Sequence, residues 1–221
     1  MPRELIYAMS ALGAYLLGAV PAGYLAVRLR TGKDIRTLGS GNIGATNTAR
    51  ALGTAWFLPV FAFDFLKGFA PVFWAAPWIA ERWPCGRCAD LETALAVALG
   101  LAALAGHLWP VYLEFRGGKG VATLGGVLFA LNAWAALLAM AVWVAAFLPF
   151  RYVSLASVVA ALSLPLLNHL TADAIRGRWG TPGLVTAFLA AAATLVIWRH
   201  RANLQRLRRG TEPKFGRRAP A

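Results

Sequence analysis

Residues 121–149 read VATLGGVLFALNAWAALLAMAVWVAAFLP, an apolar run whose only polar side chains are Thr123 and Asn132. As one straight helix it would measure about 43 Å at ~1.5 Å per residue, well beyond a ~30 Å hydrocarbon core. The basic residues around it decide how often it crosses. Arg28, Arg30, Lys33, Arg36 and Arg50 make the first loop strongly positive, which places that loop in the cytoplasm. Other apolar segments run at about 5–29, 54–80, 92–113, 152–170 and 182–198. Counting outward from the first loop, the loop 81–91 lies outside, and Arg116 and Lys119 return to the inner face. The arginine-rich tail from Arg199 to Arg218 belongs inside as well. A single crossing by 121–149 would strand that tail outside. Splitting the segment near Asn132 removes the conflict and gives two short helices of ~14–17 residues, a thin or partly re-entrant hairpin that local bilayer thinning tolerates. The expected fold is therefore all-α: a polytopic membrane protein of about seven transmembrane helices, N-terminus outside, with short cytoplasmic-face loops and a single domain over residues 1–221.

Composition agrees. Of 221 residues 59% are hydrophobic and 14% charged, where soluble domains carry about 25% charged residues, and the mean hydropathy is +0.58. The net charge of +13 sits in loops and tail beside the spans, so it reads as a topogenic signal and an attraction to anionic membrane lipids. No nucleic-acid partner is expected. Arg3 followed by apolar residues resembles a secretory signal, but the run continues to Leu29 and is closed by basic residues, as a true first span is. Cys85 and Cys88 supply half of a zinc site at most and lack the βαβ setting of a redox motif. They are read as a local feature of an outer loop, able to pair if that side is oxidising. The histidines His107, His169 and His200 form no ligand cluster with the acids, so neither a metal nor a cofactor is expected.

Three polar segments interrupt the chain at membrane edges: Gly39 to Arg50, Arg116 to Gly120, and Arg199 to Asn203. Glycine, small hydroxyls and cations together cradle phosphate, because glycine lets backbone N–H groups approach an oxyanion while Arg or Lys supplies charge. In the first segment Gly41, Asn42, Gly44, Thr46 and Asn47 can fold amides inward ahead of a helix whose N-terminus favours an anion, with Ser40 and Arg50 on either side. In the second, Arg116, Gly117, Gly118, Lys119 and Gly120 resemble half of a P-loop without the Walker spacing. In the third, His200 and Asn203 share a helix face, and a histidine among cations has a depressed pKa. His107, inside a span, is either a packing histidine or a functional one. Asp64 and Lys67 lie i,i+3 and are read as a structural charge pair. All three segments converge on the cytoplasmic face.

Those residues, with Asp64 to Gly68, Gly106 to Thr123, Arg151 to Ser154 and His200 to Gly216, resemble in order the signatures of the bacterial acyl-phosphate–dependent glycerol-3-phosphate acyltransferases, the PlsY family. The resemblance implies a seven-helix inner-membrane enzyme that transfers a fatty acyl group from acyl phosphate to the 1-hydroxyl of sn-glycerol 3-phosphate; a monomer acting on membrane lipids is expected. Carried over, it marks Ser40 and Arg50, then Lys119 with Gly117, Gly118 and Gly120 for phosphate, then His200 and Asn203. Glu114 stands where relatives often carry a base, and Ile43 fills a variable slot.

On this reading Lys119, Arg50 and the glycine amides share the two phosphates, Ser40 bonds a phosphate or the reacting oxygens, and His200 with Asn203 positions the glycerol hydroxyl. The proton goes to His200 or to a substrate phosphate. Ser40 is not read as an acyl-enzyme nucleophile, since no base is paired with it. A second class of function, a membrane carrier for phosphate or a small organic anion, also suits glycine-broken spans and cations. A carrier, however, places its site near the midplane, whereas these segments gather on one face.

Overall fold

The computed structural model describes residues 2–86, 90–175 and 179–216; Cys88 lies outside them. Every regular element among the described residues is helical. The first apolar segment forms two helices, α1 (Arg3–Ala19) and α2 (Ala22–Thr31), bent by 40° at the break. Pro21 is the cause: it carries no N–H, so the ladder of α1 cannot continue through it. The Val20 carbonyl left at the break accepts a hydrogen bond from Lys67 Nζ at 2.9 Å.

A short amphipathic helix, α3 (Ala45–Leu52), lies between the first loop and the second span. That span comprises α4 (Phe57–Ala70), a π-helical turn over Pro71–Ala75, and α5 (Ala76–Arg82). Next come α6 (Leu91–Leu108), capped by Asp90, then α7 (Val121–Leu131) and α8 (Ala133–Phe150). The apolar run breaks at Asn132. Its side chain accepts from the Ala135 N–H at 3.0 Å, satisfying an orphan donor of α8, and its amide donates to Asn168 and Thr171. The two halves are unequal, with 11 residues in α7 and 18 in α8, so α7 reaches only about 16 Å and spans half the hydrocarbon core. After α9 (Val153–Leu170) and α10 (Pro182–Arg199), the chain turns into α11 (Arg201–Arg208). Among the described residues five helical stretches are long and apolar enough to cross a membrane, six if the bent pair α1–α2 counts as one; α7 is shorter.

Glycines set two of the tightest helix contacts. A Cβ on Gly126 would lie 2.0 Å from the Phe65 carbonyl oxygen, and one on Gly68 2.2 Å from that of Thr123, so α4 and α7 meet backbone to backbone. Gly18 and Gly106 do the same for α1 and α6, each 2.1 Å from a carbonyl oxygen of the other helix. Such contact provides the van der Waals packing that holds helices together in lipid. Gly126→Val is therefore expected to cost about 3 kcal/mol or more through overpacking. Gly125→Val, whose nearest neighbour is Phe65 Cδ2 at 3.9 Å, should stay close to wild type; thermal unfolding in detergent separates the two.

Helix α8 packs on α9 and exposes most of its surface: only Ala135 and Ala139 are buried. Between it and α4 lies a cleft that leads down from the polar segments.

Candidate active site

The first polar loop is organised by one side chain. Asn47, 2% exposed, donates from Nδ2 to the carbonyls of Leu38 at 2.9 Å and Asn42 at 2.8 Å, while its Oδ1 accepts the Ser40 N–H at 2.9 Å. Gly39 permits this through φ 54°, since a Cβ there would sit 2.4 Å from Asn47 Oδ1. The Gly41 N–H is taken by the Leu38 carbonyl, and the Gly44 N–H by Asn42 Oδ1. The loop's donors are thus largely spent on the loop itself. What remains for a ligand is the start of α3, where the amides of Ala45 and Thr46 have no carbonyl of their own helix to reach, together with the side chains of Ser40, Thr46 and Arg50. All of these residues line one cavity. The Arg50 guanidinium and the Ser40 hydroxyl have no hydrogen-bond partner among the described residues.

The second loop is gripped from both sides. Arg199 donates from Nε to the Gly118 carbonyl at 3.0 Å and from Nη2 to the Gly117 carbonyl at 2.7 Å. The Gly118 N–H donates to the His107 carbonyl at 3.0 Å. A Cβ on Gly118 would meet His107 Nε2 at 2.1 Å, and one on Gly117 the His107 carbonyl oxygen at 2.2 Å. These glycines are explained by close approach to the end of α6. Gly120, at φ 84°, starts α7. Lys119 points from this loop into the cavity.

The third segment supplies the facing wall. His200, 2% exposed, donates from Nδ1 to the Val196 carbonyl at 2.7 Å, which leaves Nε2 as the nitrogen with a lone pair. Burial, and then the nearby Lys119 charge, push its pKa down to about 4. Asn203 accepts from Lys119 Nζ at 2.5 Å through Oδ1 and donates from Nδ2 to Glu212 Oε1 at 2.6 Å. Glu212, 8% exposed, also accepts from Ser154 at 2.7 Å and from Arg206 at 2.8 Å. Burial alone would raise its pKa, but the three donors hold it below the ordinary carboxylate value. Burial lowers Lys119 to about 8 against the attraction of Glu212, and the Arg206, Arg50 and Arg199 charges add to the drop.

The cavity, of about 620 Å³, joins this polar head to an apolar cleft. One wall is the aromatic ladder of α4, Phe57, Phe61 and Phe65, stacked at 5.7 and 6.3 Å; the other carries Leu137, Met140 and Trp143 of α8. At the inner end Phe215 bridges the two lips, edge-on to Phe57 at 6.2 Å and Phe147 at 5.9 Å. A site with cations at one end and a lipid-facing aromatic slot at the other fits an amphiphile with an anionic head.

A family model described as glycerol-3-phosphate acyltransferase matches residues 8–210. The chain belongs to that family. A glycerol-3-phosphate acyltransferase of Gloeobacter violaceus is 42% identical over 203 residues, 92% of either chain, and one of Parasynechococcus marenigrum is 44% identical over 205 residues, 93% of this chain and 88% of the relative. Among solved structures, PlsY (YgiH), an integral membrane glycerol 3-phosphate acyltransferase, superposes in its glycerol 3-phosphate form with a TM-score of 0.79 at 39% identity, covering 95% of this chain and 96% of that one. Its lysophosphatidic acid form gives 0.76 at 38% identity, covering 95% of each. The acyltransferase family is an enzyme family, and the carrier reading is set aside.

Within this acyltransferase chain, Ser40, Asn42, Gly44, Thr46, Asn47, Arg50, Lys119, Gly120, His200 and Asn203 gather at the cavity. Gly41, Arg116, Gly117 and Gly118 do not line it: Arg116 is exposed, and the Gly41 and Gly118 amides are spent on Leu38 and His107. Asn47 and Asn203 reach it with their amides already engaged inside the protein. Glu212, Ser154 and Arg206 were not among the expected site residues. The signal for Glu212 was its standing as the single acid of a basic tail. Asp64 pairs with Lys67 at 2.7 Å and lies 3.6 Å from His107 Nδ1; all three are buried, and Asp64 and His107 line the cavity.

Proposed function

We propose that the chain transfers a fatty acyl group from acyl phosphate to the 1-hydroxyl of sn-glycerol 3-phosphate, giving lysophosphatidic acid and phosphate. The reaction is placed at the cytoplasmic face of the bacterial inner membrane. The observation that carries the reading is the junction of Arg50, unpartnered among the described residues, and a half-buried Lys119 with a slot lined by Phe57, Phe61 and Phe65. Two anionic substrates, one bearing a lipid chain, require that combination. Every group involved comes from one chain, as a monomeric enzyme requires.

Arg50, the Ala45 and Thr46 amides and the two remaining Lys119 donors hold the phosphates, neutralising the repulsion that would keep two such anions apart. Ser40 donates to a phosphate or to the acyl carbonyl oxygen. The glycerol hydroxyl donates to His200 Nε2, which orients its oxygen at the acyl carbon. That oxygen forms the new ester bond, the carbonyl-to-phosphate bond breaks, and the electron pair leaves with phosphate. The hydroxyl proton moves to His200 Nε2, and a His200 of pKa about 4 holds it more weakly than a substrate phosphate of second pKa ≈ 6, so His200 passes it on to phosphate. Asn203 acts on Lys119, linking it to Glu212.

The pH profile follows. Lys119 must be charged to hold phosphate, and its pKa of about 8 keeps it so at neutral pH. His200 stays neutral throughout that range. Activity at fixed substrate ionisation is expected to be level from about pH 6.5 to 7.5 and to fall about tenfold per unit well above pH 8. A limb near 6.5 belonging to the enzyme would overturn the assignment of a neutral, orienting His200. The acceptor is tested by replacing glycerol 3-phosphate with glycerol. The phosphate contacts predict that acylation is then lost, and equal rates on both would contradict the proposal.

A further inference from the structure

The Gly117–Gly118 pair carries the composition of a phosphate cradle, yet three of its four backbone polar groups are committed to the protein. Two consecutive carbonyls go to one guanidinium, Arg199, at 2.7 and 3.0 Å, and the Gly118 N–H goes to the His107 carbonyl. Arg199 does not line the cavity, so it is not placed to touch substrate. It stands one residue before His200 and four before Asn203, the residue that receives Lys119.

We infer that Arg199 is a positioning residue for phosphate binding: its bidentate grip on the Gly117 and Gly118 carbonyls fixes the backbone that aims Lys119 into the cavity.

The geometry supports this in three ways. A planar guanidinium can meet two neighbouring carbonyls at once, and a Lys ammonium at the same point lacks that fork. The grip holds the carbonyl oxygens on Arg199, away from where a substrate phosphate would be repelled by them. It also ties the loop to the end of α10, so that the Lys119 ammonium, the His200 ring and Asn203 are set by one helix terminus. The charged and titratable groups facing Lys119 are Glu212 and Arg206 from the C-terminal segment, Arg50 from α3, and Arg199 and His200 from the α10 end. With Arg199 neutralised, one cation leaves that set and the loop can admit water, and both changes raise the Lys119 pKa.

The inference rests on the acyl-transfer reading for its kinetic readout, so a second readout is independent of turnover. In Arg199→Gln, kcat/KM for glycerol 3-phosphate is expected to fall about 100-fold, the scale of a misplaced catalytic group. Arg199→Lys should recover less than tenfold of that loss. Alongside, the rate of Lys119 modification by an amine-directed reagent is followed against pH by mass spectrometry, with and without inorganic phosphate. The wild type should titrate near 8 and be protected by phosphate; Arg199→Gln should titrate higher and lose protection. If the wild type does not turn over but Lys119 still shifts and loses protection, the positioning role stands and the reaction fails. An unmoved Lys119 titration with kcat/KM within threefold of wild type would overturn the inference, leaving Arg199 a topogenic charge. Should Arg199→Gln not fold, Arg199→Lys carries the same test: full activity and an unmoved titration would overturn it.

Discussion

Replacing Lys119 by Ala is expected to lower kcat/KM by about 10³-fold or more while the protein still inserts and remains monodisperse in detergent. Removing one donor aimed at developing charge typically costs 10²–10³-fold. Lys119 also neutralises a substrate phosphate and anchors Asn203, so its loss falls at the upper end. Glu212 keeps its hydrogen bonds from Ser154 and Arg206, and that retained network is why folding should survive. Lys119→Arg should not rescue, because the close, partly buried contact with Asn203 suits a compact ammonium and not a planar fork. Near-normal turnover by Lys119→Ala would remove the main phosphate ligand from the account.

The largest expected stability effect is at Asp64. Its carboxylate contacts Lys67 Nζ at 2.7 Å, with both side chains buried, and Lys67 in turn holds the Val20 carbonyl at the Pro21 break. Asp64→Ala leaves an ammonium without its counter-charge in the protein interior. Breaking a buried pair this way costs about 3–5 kcal/mol. Replacing both partners, Asp64→Leu with Lys67→Met, should recover part of the loss, since buried pairs exchange for packed apolar groups at little cost while the Val20 carbonyl still loses its donor. Thermal unfolding in detergent checks the comparison. A single variant as stable as wild type would show that the pair does not hold the α1–α2 break to α4.

Much of this was legible in the sequence, for identifiable reasons. Asn132 broke the long apolar run because an isolated Asn in a greasy stretch is a strong helix cap. The unequal lengths of α7 and α8 were not legible, since charge parity counts crossings and is blind to depth. The break at Pro21 was hidden by an apolar run that continued through it, and Lys67, 47 positions after Val20, supplies the partner that makes the break tolerable. The three polar segments did converge on one cavity, because each stands at a helix end. Roles within them depended on which donors the fold consumes. Asn47 and Gly118 have the composition of ligands and the bonding of scaffold. Conversely, Glu212 looked like a stray acid and proves to be bonded to Asn203, Ser154 and Arg206, contacts spread over 58 positions of sequence.

The most direct test of the central claim supplies the purified protein with sn-glycerol 3-phosphate and either palmitoyl phosphate or palmitoyl-CoA, following lysophosphatidic acid and free phosphate together. The account predicts equimolar lysophosphatidic acid and phosphate from palmitoyl phosphate, and no product from palmitoyl-CoA. Product from palmitoyl-CoA alone, or from neither donor, would contradict it.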